Sequence, residues 1–201
     1  MTATTLLRGI SLFAQLREAE LERIGQLAHI RDYPKNSVIV SGTSSGDTLY
    51  IIVAGKVKSM LIAEDGREVI LSMLGAGEFF GEMALFDDDP STTSVIAAEG
   101  SQLLLLRRDD LYRQVMEMPG VAIGLLRSLS RRLKEADHKI GGLILLDVPG
   151  RVSHLLLQLA APHDGQRIPK PPTHQVMAQM VGSSRETVSR VLSDFSAHGI
   201  I

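Results

Sequence analysis

Residues 173–201, THQVMAQMVGSSRETVSRVLSDFSAHGII, read as two short amphipathic helices around a tight turn. Thr173 offers a side-chain oxygen to the free N–H groups that open the first helix, and Val176, Met177, Met180 and Val181 recur at helical spacing. Gly182 ends that helix. Ser183 and Glu186 stand in S-x-x-E spacing, in which each side chain satisfies the other's exposed backbone donor, so the second helix is expected to begin at Ser183. Its inward stripe is Val188, Val191, Leu192 and Phe195. At about 100° per residue, Arg185, Glu186, Ser189 and Arg190 centre on nearly the opposite side and are left to touch something else.

A helix-turn-helix lays its second helix in the DNA major groove and presents the residues of its first turns to base edges. Arginine pairs bidentately with guanine O6 and N7, and glutamate accepts from cytosine N4. Arg185, Glu186, Ser189 and Arg190 are therefore the expected base-reading residues, with Thr173, His174 and Ser184 beside them on the DNA side. The competing reading is a solvated face carrying an ordinary Glu186–Arg190 (i, i+4) pair. The turn, the cap and the preceding helix agree with one another in favour of DNA.

Charge and composition support that reading once they are divided along the chain. The formal net charge is −2, yet from Arg151 onward five Lys/Arg face three Asp/Glu, whereas residues 1–150 hold sixteen against twenty. The bias is modest, so phosphate affinity must come from placed residues and from two copies of the domain on one site. The chain has no cysteine, which leaves no disulfide framework and no thiolate ligands for an iron–sulfur cluster. Its six histidines show no metal-ligand spacing, so no metal is expected. No apolar run has the length of a membrane span, and the start MTATTLLRGI has no signal-peptide pattern, so a cytoplasmic location without a membrane partner is expected. Neither a P-loop nor a G-x-S-x-G motif occurs, and the chain is not expected to be an enzyme.

The 201 residues, 44% of them hydrophobic, suffice for two packed domains in an α+β fold. Leu16 to Ile30 reads as an amphipathic helix. Val38 to Val40, Leu49 to Val53, Val57 to Ile62, Val69 to Leu74 and Leu103 to Leu106 read as short strands, separated by turn signals such as Gly55-Lys56, Asp65-Gly66 and Gly75-Ala76-Gly77. Strands of this length and spacing predict a β-roll, jelly-roll-like, or a barrel. Asp109 to Met116 returns to helix. Pro119 opens the longest helix, where Ala122, Leu126, Leu129, Leu133, Ala136, Ile140 and Leu143 step alternately by four and three, a heptad seam. That seam fits either the chain's own β-roll or a parallel helix of a second copy, and a helix-turn-helix that needs two half-sites favours the second copy. Asp147 is placed to cap the next helix, with Pro149 in its first turn. The expected domains are residues 1–117, a dimerisation helix 118–146 and a DNA-binding domain 147–201.

Three motifs in order carry a resemblance. Residues 173–201 resemble the helix-turn-helix of the cAMP receptor protein/FNR family of bacterial transcription regulators. Leu146-Asp147-Val148-Pro149-Gly150-Arg151-Val152 resembles the family's hinge, and residues 77–86, GEFFGEMALF, resemble its phosphate-binding cassette. The resemblance implies a β-roll sensor, a dimerisation helix and a winged helix-turn-helix, although the chain stops at Ile201, before a wing. It implies as partners double-stranded DNA with two-fold related half-sites of the TGTGA type, a second copy of the chain, and RNA polymerase. The residues matching Arg185, Glu186 and Arg190 make the family's base contacts.

The resemblance also assigns an effector site to Gly81, Glu82, Met83, Thr92, Thr93, Arg132, Ala136 and Asp137. In the family the glutamate matching Glu82 binds the ribose and an arginine ten residues later neutralises the cyclic phosphate. Thr92 stands at that arginine's position, and Ala136 and Asp137 replace the paired hydroxyl residues that meet adenine, while Arg132 is retained. With Glu82 and Asp87-Asp88-Asp89 in or near the cup, a phosphate is repelled unless a cation is supplied. Ordinary cAMP gating is therefore not expected. Cyclic di-GMP is the first named alternative, with Arg67, Lys58, Arg131 and Arg132 as available cations. Another cyclic nucleotide, a ligand-independent regulator and a regulatory module acting by protein contact remain open.

Overall fold

The computed structural model describes residues 3–42, 46–83 and 93–201. Its elements are α1 (Ala3–Leu7), a 3-10 turn (Ser11–Phe13), α2 (Glu18–Leu27), the strands β1 (His29–Tyr33), β2 (Val38–Val40), β3 (Thr48–Ala54), β4 (Lys56–Ile62), β5 (Glu68–Gly75), β6 (Phe79–Phe80), β7 (Ser94–Ala97) and β8 (Ser101–Arg107), then α3 (Arg108–Glu117), α4 (Pro119–Leu145), α5 (Val148–Ala160), a second 3-10 turn (Ala161–His163), α6 (His174–Val181) and α7 (Arg185–Ala197). They form two compact units. One comprises residues up to Arg67 with Leu71–Arg131, the other Glu68–Ile70 with Arg132–Ile201.

In the first unit the strands form two four-stranded sheets, ordered β1-β8-β3-β6 and β2-β7-β4-β5. The run Leu103-Leu104-Leu105-Leu106 does not alternate with polar residues because both faces of β8 are covered. Register sets Leu49 opposite Leu106 and Ile51 opposite Leu104, and these four bury against Leu7, Leu12, Phe13, Ile24 and Leu111 of the helical layer. The next pair along, Ile52 and Leu103, faces a second cluster with Val57, Leu74, Phe80, Val95 and Ala97. Each of the leucine, isoleucine, valine and phenylalanine side chains contributes about 1.5–3 kcal/mol by leaving water. Gly55 turns β3 into β4 at φ 88°, and a Cβ there would lie 2.5 Å from the Gly100 carbonyl oxygen, so only glycine fits.

The expected helix over Leu16 to Ile30 is corrected at both ends. It runs Glu18–Leu27, and Ile30 belongs to β1. Four of the five β1 residues are exposed, so no apolar alternation marks the strand; antiparallel pairing of His29 to Tyr33 with Leu105 to Ser101 specifies it instead. β6 and β7, of two and four residues, are likewise too short to leave a periodic signal.

The long helix α4 has two faces. Val121, Gly124, Leu125 and Ser128 are buried, and at Gly124 the packing is so close that a Cβ would sit 2.1 Å from the Leu12 carbonyl oxygen. The heptad seam lies elsewhere on the helix, centred roughly 100° away at ~100° per residue. Leu126, Leu133, Ile140 and Leu143 are 66, 64, 54 and 56% exposed. Ala136 is also exposed, and Ala122 and Leu129 are half-buried.

Candidate DNA-binding face and effector cassette

Asp147 starts α5: its Oδ1 accepts from the Gly150 N–H at 2.9 Å, and Pro149 sits in the first turn, where a missing donor does no harm. Helices α5, α6 and α7 then close around Val152, Leu155, Met177, Ala178, Val181, Val188, Val191 and Leu192, with Phe195 packed at the edge. Thr173 caps α6 as the sequence predicts, its Oγ1 accepting from the Val176 N–H at 3.3 Å.

The cap of α7 differs from the expectation. Gly182 leaves α6 in the left-handed region at φ 64°, and the Ser183 N–H folds back onto the Ala178 carbonyl at 3.0 Å. Ser183 is thereby used in closing the turn. Ser184 is the N-cap instead: its Oγ accepts from the Thr187 N–H at 3.1 Å and lies 3.0 Å from Thr187 Oγ1. The Ser183–Glu186 capping box is not formed, and α7 starts at Arg185. Glu186 is exposed, as are Arg185, Arg190, Thr173, His174 and Ser184, while Ser189 is half-buried. His174 Nδ1 lies 2.7 Å from Ser189 Oγ and links the two helices.

Sequence reasoning took Arg151 only as part of the hinge motif and missed what its side chain does. Its Nε donates to the Val181 carbonyl at 3.0 Å and its Nη1 to the Leu146 carbonyl at 2.9 Å. One guanidinium thus binds the C-terminal ends of α6 and α4, where carbonyls are unpaired and a cation is favoured. The signal available in the sequence was an arginine one helical turn after the Asp147 cap. Arg151→Ala is expected to destabilise the C-terminal unit by about 1–3 kcal/mol, read as a lower thermal midpoint in calorimetry. Arg151→Lys should recover only part of the loss, because a single ammonium cannot fork to both carbonyls.

The cassette of the first unit begins where β6 ends. Phe80 stacks on Tyr50 with ring centroids 4.9 Å apart and planes 4° from parallel. Gly81 follows at φ 90°, and a Cβ there would lie 2.5 Å from the Thr48 carbonyl oxygen, which restricts the position to glycine. Glu82 is buried at 4% exposure and Met83 is exposed. Thr93 is half-buried, and Ser94 Oγ accepts from the Gly42 N–H at 3.1 Å. Thr92 and Asp87-Asp88-Asp89 lie outside the described residues. Half-buried Arg132 and exposed Ala136 and Asp137 belong to the second unit, so the expected effector residues are divided between the two units. Of the candidate cations, Arg67 is bound through Nε to Asp65 at 2.7 Å within its own hairpin turn, and Arg131 lies 3.8 Å from Glu78. Among the described residues no cluster of three or more metal-ligating side chains occurs, and no helix is long and apolar enough to cross a membrane.

Comparisons with known proteins place both units. Residues 30–118 match the family model of the cyclic nucleotide-binding domain, and residues 150–201 that of the Crp-like helix-turn-helix domain. The chain is 39% identical over 175 residues to the CRP-like cAMP-activated global transcriptional regulator of Mycobacterium tuberculosis, covering 85% of this chain and 78% of that protein. It is 35% identical over 182 residues to the cAMP-activated global transcriptional regulator CRP of Salmonella typhimurium, covering 85% and 87%. Among solved structures, the c-di-GMP-responsive global regulator CLP of Xanthomonas campestris superposes with a TM-score of 0.80 at 27% identity, covering 91% of this chain and 93% of that one. The catabolite activator protein of Thermus thermophilus gives 0.61 at 34% identity, covering 94% and 88%. These relatives are regulators of transcription and not enzymes. With a β-roll of the cyclic nucleotide-binding domain type and a Crp-like helix-turn-helix in family order, the chain belongs to the cAMP receptor protein/FNR family of bacterial transcription regulators.

Proposed function

We propose that the chain works as a homodimer that reads two-fold related DNA half-sites of the TGTGA type and passes the result to RNA polymerase, under control of a cyclic nucleotide bound in the β-roll. The observation that carries the DNA reading is α7 itself. Its Val188, Val191 and Leu192 are fixed in the core and Ser184 caps its start, while Arg185, Glu186 and Arg190 stand exposed. In this reading Arg185 and Arg190 pair with guanines, Glu186 accepts from cytosine, Ser189 meets a base edge, and Thr173, His174 and Ser184 meet phosphates at helix starts. The seam of Leu126, Leu129, Leu133, Ala136, Ile140 and Leu143 joins the two copies.

For the effector, cyclic di-GMP is placed ahead of cAMP. Residues 81–94, GEMALFDDDPSTTS, contain no lysine or arginine, and Glu82 is buried. A buried phosphate without a paired cation costs several kcal/mol, so a ligand whose one phosphate must sit in this segment fits it poorly, and a dinucleotide has to place its two phosphates on cations outside it. The c-di-GMP-responsive CLP gives this reading a structural precedent. A second reading, cAMP, is favoured by the cAMP-activated relatives at 39 and 35% identity. Titration calorimetry against cAMP, cGMP and cyclic di-GMP, with DNA binding measured in each condition, decides between them. Cyclic di-GMP is expected to bind and to change DNA affinity, and cAMP to bind weakly. Micromolar cAMP affinity would overturn the preference, and DNA binding indifferent to every nucleotide would make the protein a ligand-independent regulator.

A further inference from the structure

We propose that His174 is a positioning residue that sets which bases Ser189 accepts, by fixing whether the serine hydroxyl presents a lone pair or a proton to the DNA. The inference rests on the reading of α7 as the base-contacting helix. His174 Nδ1 and Ser189 Oγ are 2.7 Å apart, the distance of a true hydrogen bond. The bond runs from the first residue of α6, beside the Thr173 cap, to α7, where Ser189 lies one turn beyond Arg185 and adjacent to Arg190. His174 is exposed and Ser189 half-buried, so the pair lies at the edge of the face that carries Arg185, Glu186 and Arg190.

A serine hydroxyl has one proton to give and two lone pairs to receive with. On a bare helix it serves donor and acceptor bases alike. The imidazole removes that freedom. With Nδ1 unprotonated, the serine proton is donated to the ring, and the lone pairs left over accept from adenine N6 or cytosine N4. With Nδ1 protonated, the ring donates to Oγ, and the serine proton is released toward guanine O6 and N7 or thymine O4. Either role of the ring leaves the serine hydroxyl with a single sense, so one class of base is preferred over the other at the position it meets.

The test is fluorescence anisotropy of the full chain, in the nucleotide condition of tightest binding, on duplexes with two TGTGA half-sites in which each position is replaced in turn by every base. At one position the wild type is expected to prefer adenine and cytosine over guanine and thymine, or the reverse, by about five- to tenfold, the size of one base contact. His174→Phe, which keeps a ring but has no nitrogen to hold the hydroxyl, and Ser189→Ala, which removes the hydroxyl, should each level that preference while discrimination at the other positions stays, and His174→Asn, which keeps a polar atom near the Nδ1 position, should recover a preference. A wild type without such a preference, or a preference that survives in either His174→Phe or Ser189→Ala, overturns the proposal. Failure of the wild type to distinguish any of the duplexes overturns the recognition-helix reading and this proposal with it, whereas discrimination intact elsewhere and absent at this position overturns the proposal alone.

Discussion

Leu133→Glu is expected to turn the protein into a monomer of about 22 kDa in analytical ultracentrifugation and to weaken binding to a two-half-site duplex at least ~100-fold. Leu133 is 64% exposed on a helix whose core-facing side is elsewhere, at Val121, Leu125 and Ser128, so the substitution leaves the folded protomer intact. Across a two-fold axis each seam residue meets its own copy or a close neighbour, and a glutamate there brings like charges together out of water at a cost of several kcal/mol. A monomer holds one half-site at a time and loses the effective concentration that the second recognition helix supplies. A variant that stays dimeric at micromolar concentration would locate the interface away from the seam.

The seam illustrates what was legible in the sequence and why. A four-three repeat of leucine and isoleucine is a long, strongly periodic signal, and α4 runs over Pro119–Leu145 as that signal predicts. The five strands read from apolar runs are all present for the same reason. His29 and Ile30 fell to the expected helix and the rest of β1 went unread because its polar residues borrow their conformation from β8, a partner some seventy residues later that local pattern cannot reveal. The Ser183 error has a different origin. Two adjacent serines, Ser183 and Ser184, compete for one cap, and S-x-x-E spacing favoured the first. The deciding factor was the closure of the preceding turn on Ala178, a bond between backbone atoms that no side-chain motif announces. Arg151 was hidden in the same way, since both of its partners are main-chain carbonyls. The His174–Ser189 bond spans fifteen residues and depends on the angle between two helices, which sequence spacing leaves undefined.

Arg185→Ala and Arg190→Ala are each expected to weaken binding to the preferred duplex by about 1–3 kcal/mol, roughly 5- to 150-fold, and to blur preference at one base pair while leaving binding to random DNA nearly unchanged. Both side chains are exposed on α7, and neither belongs to the cluster of Val188, Val191 and Leu192 that holds the helix in place, so loss of affinity will not report unfolding. Arg190 stands one turn beyond Glu186, the spacing of an intrahelical pair. Its removal also takes a cation from the neighbourhood of the Glu186 carboxylate, and the double variant Glu186→Gln with Arg190→Ala separates the two effects in a cycle. Arg190→Lys supplies the sharper control. A lysine keeps the positive charge, so a phosphate contact survives the change, but it lacks the planar fork that grips guanine O6 and N7 together. Specific binding that falls with lysine as far as with alanine, measured in competition against random duplex at fixed salt, identifies a bidentate base contact. Equal loss on specific and random DNA, restored by lysine, would make these arginines phosphate anchors and leave base reading to Glu186 and Ser189.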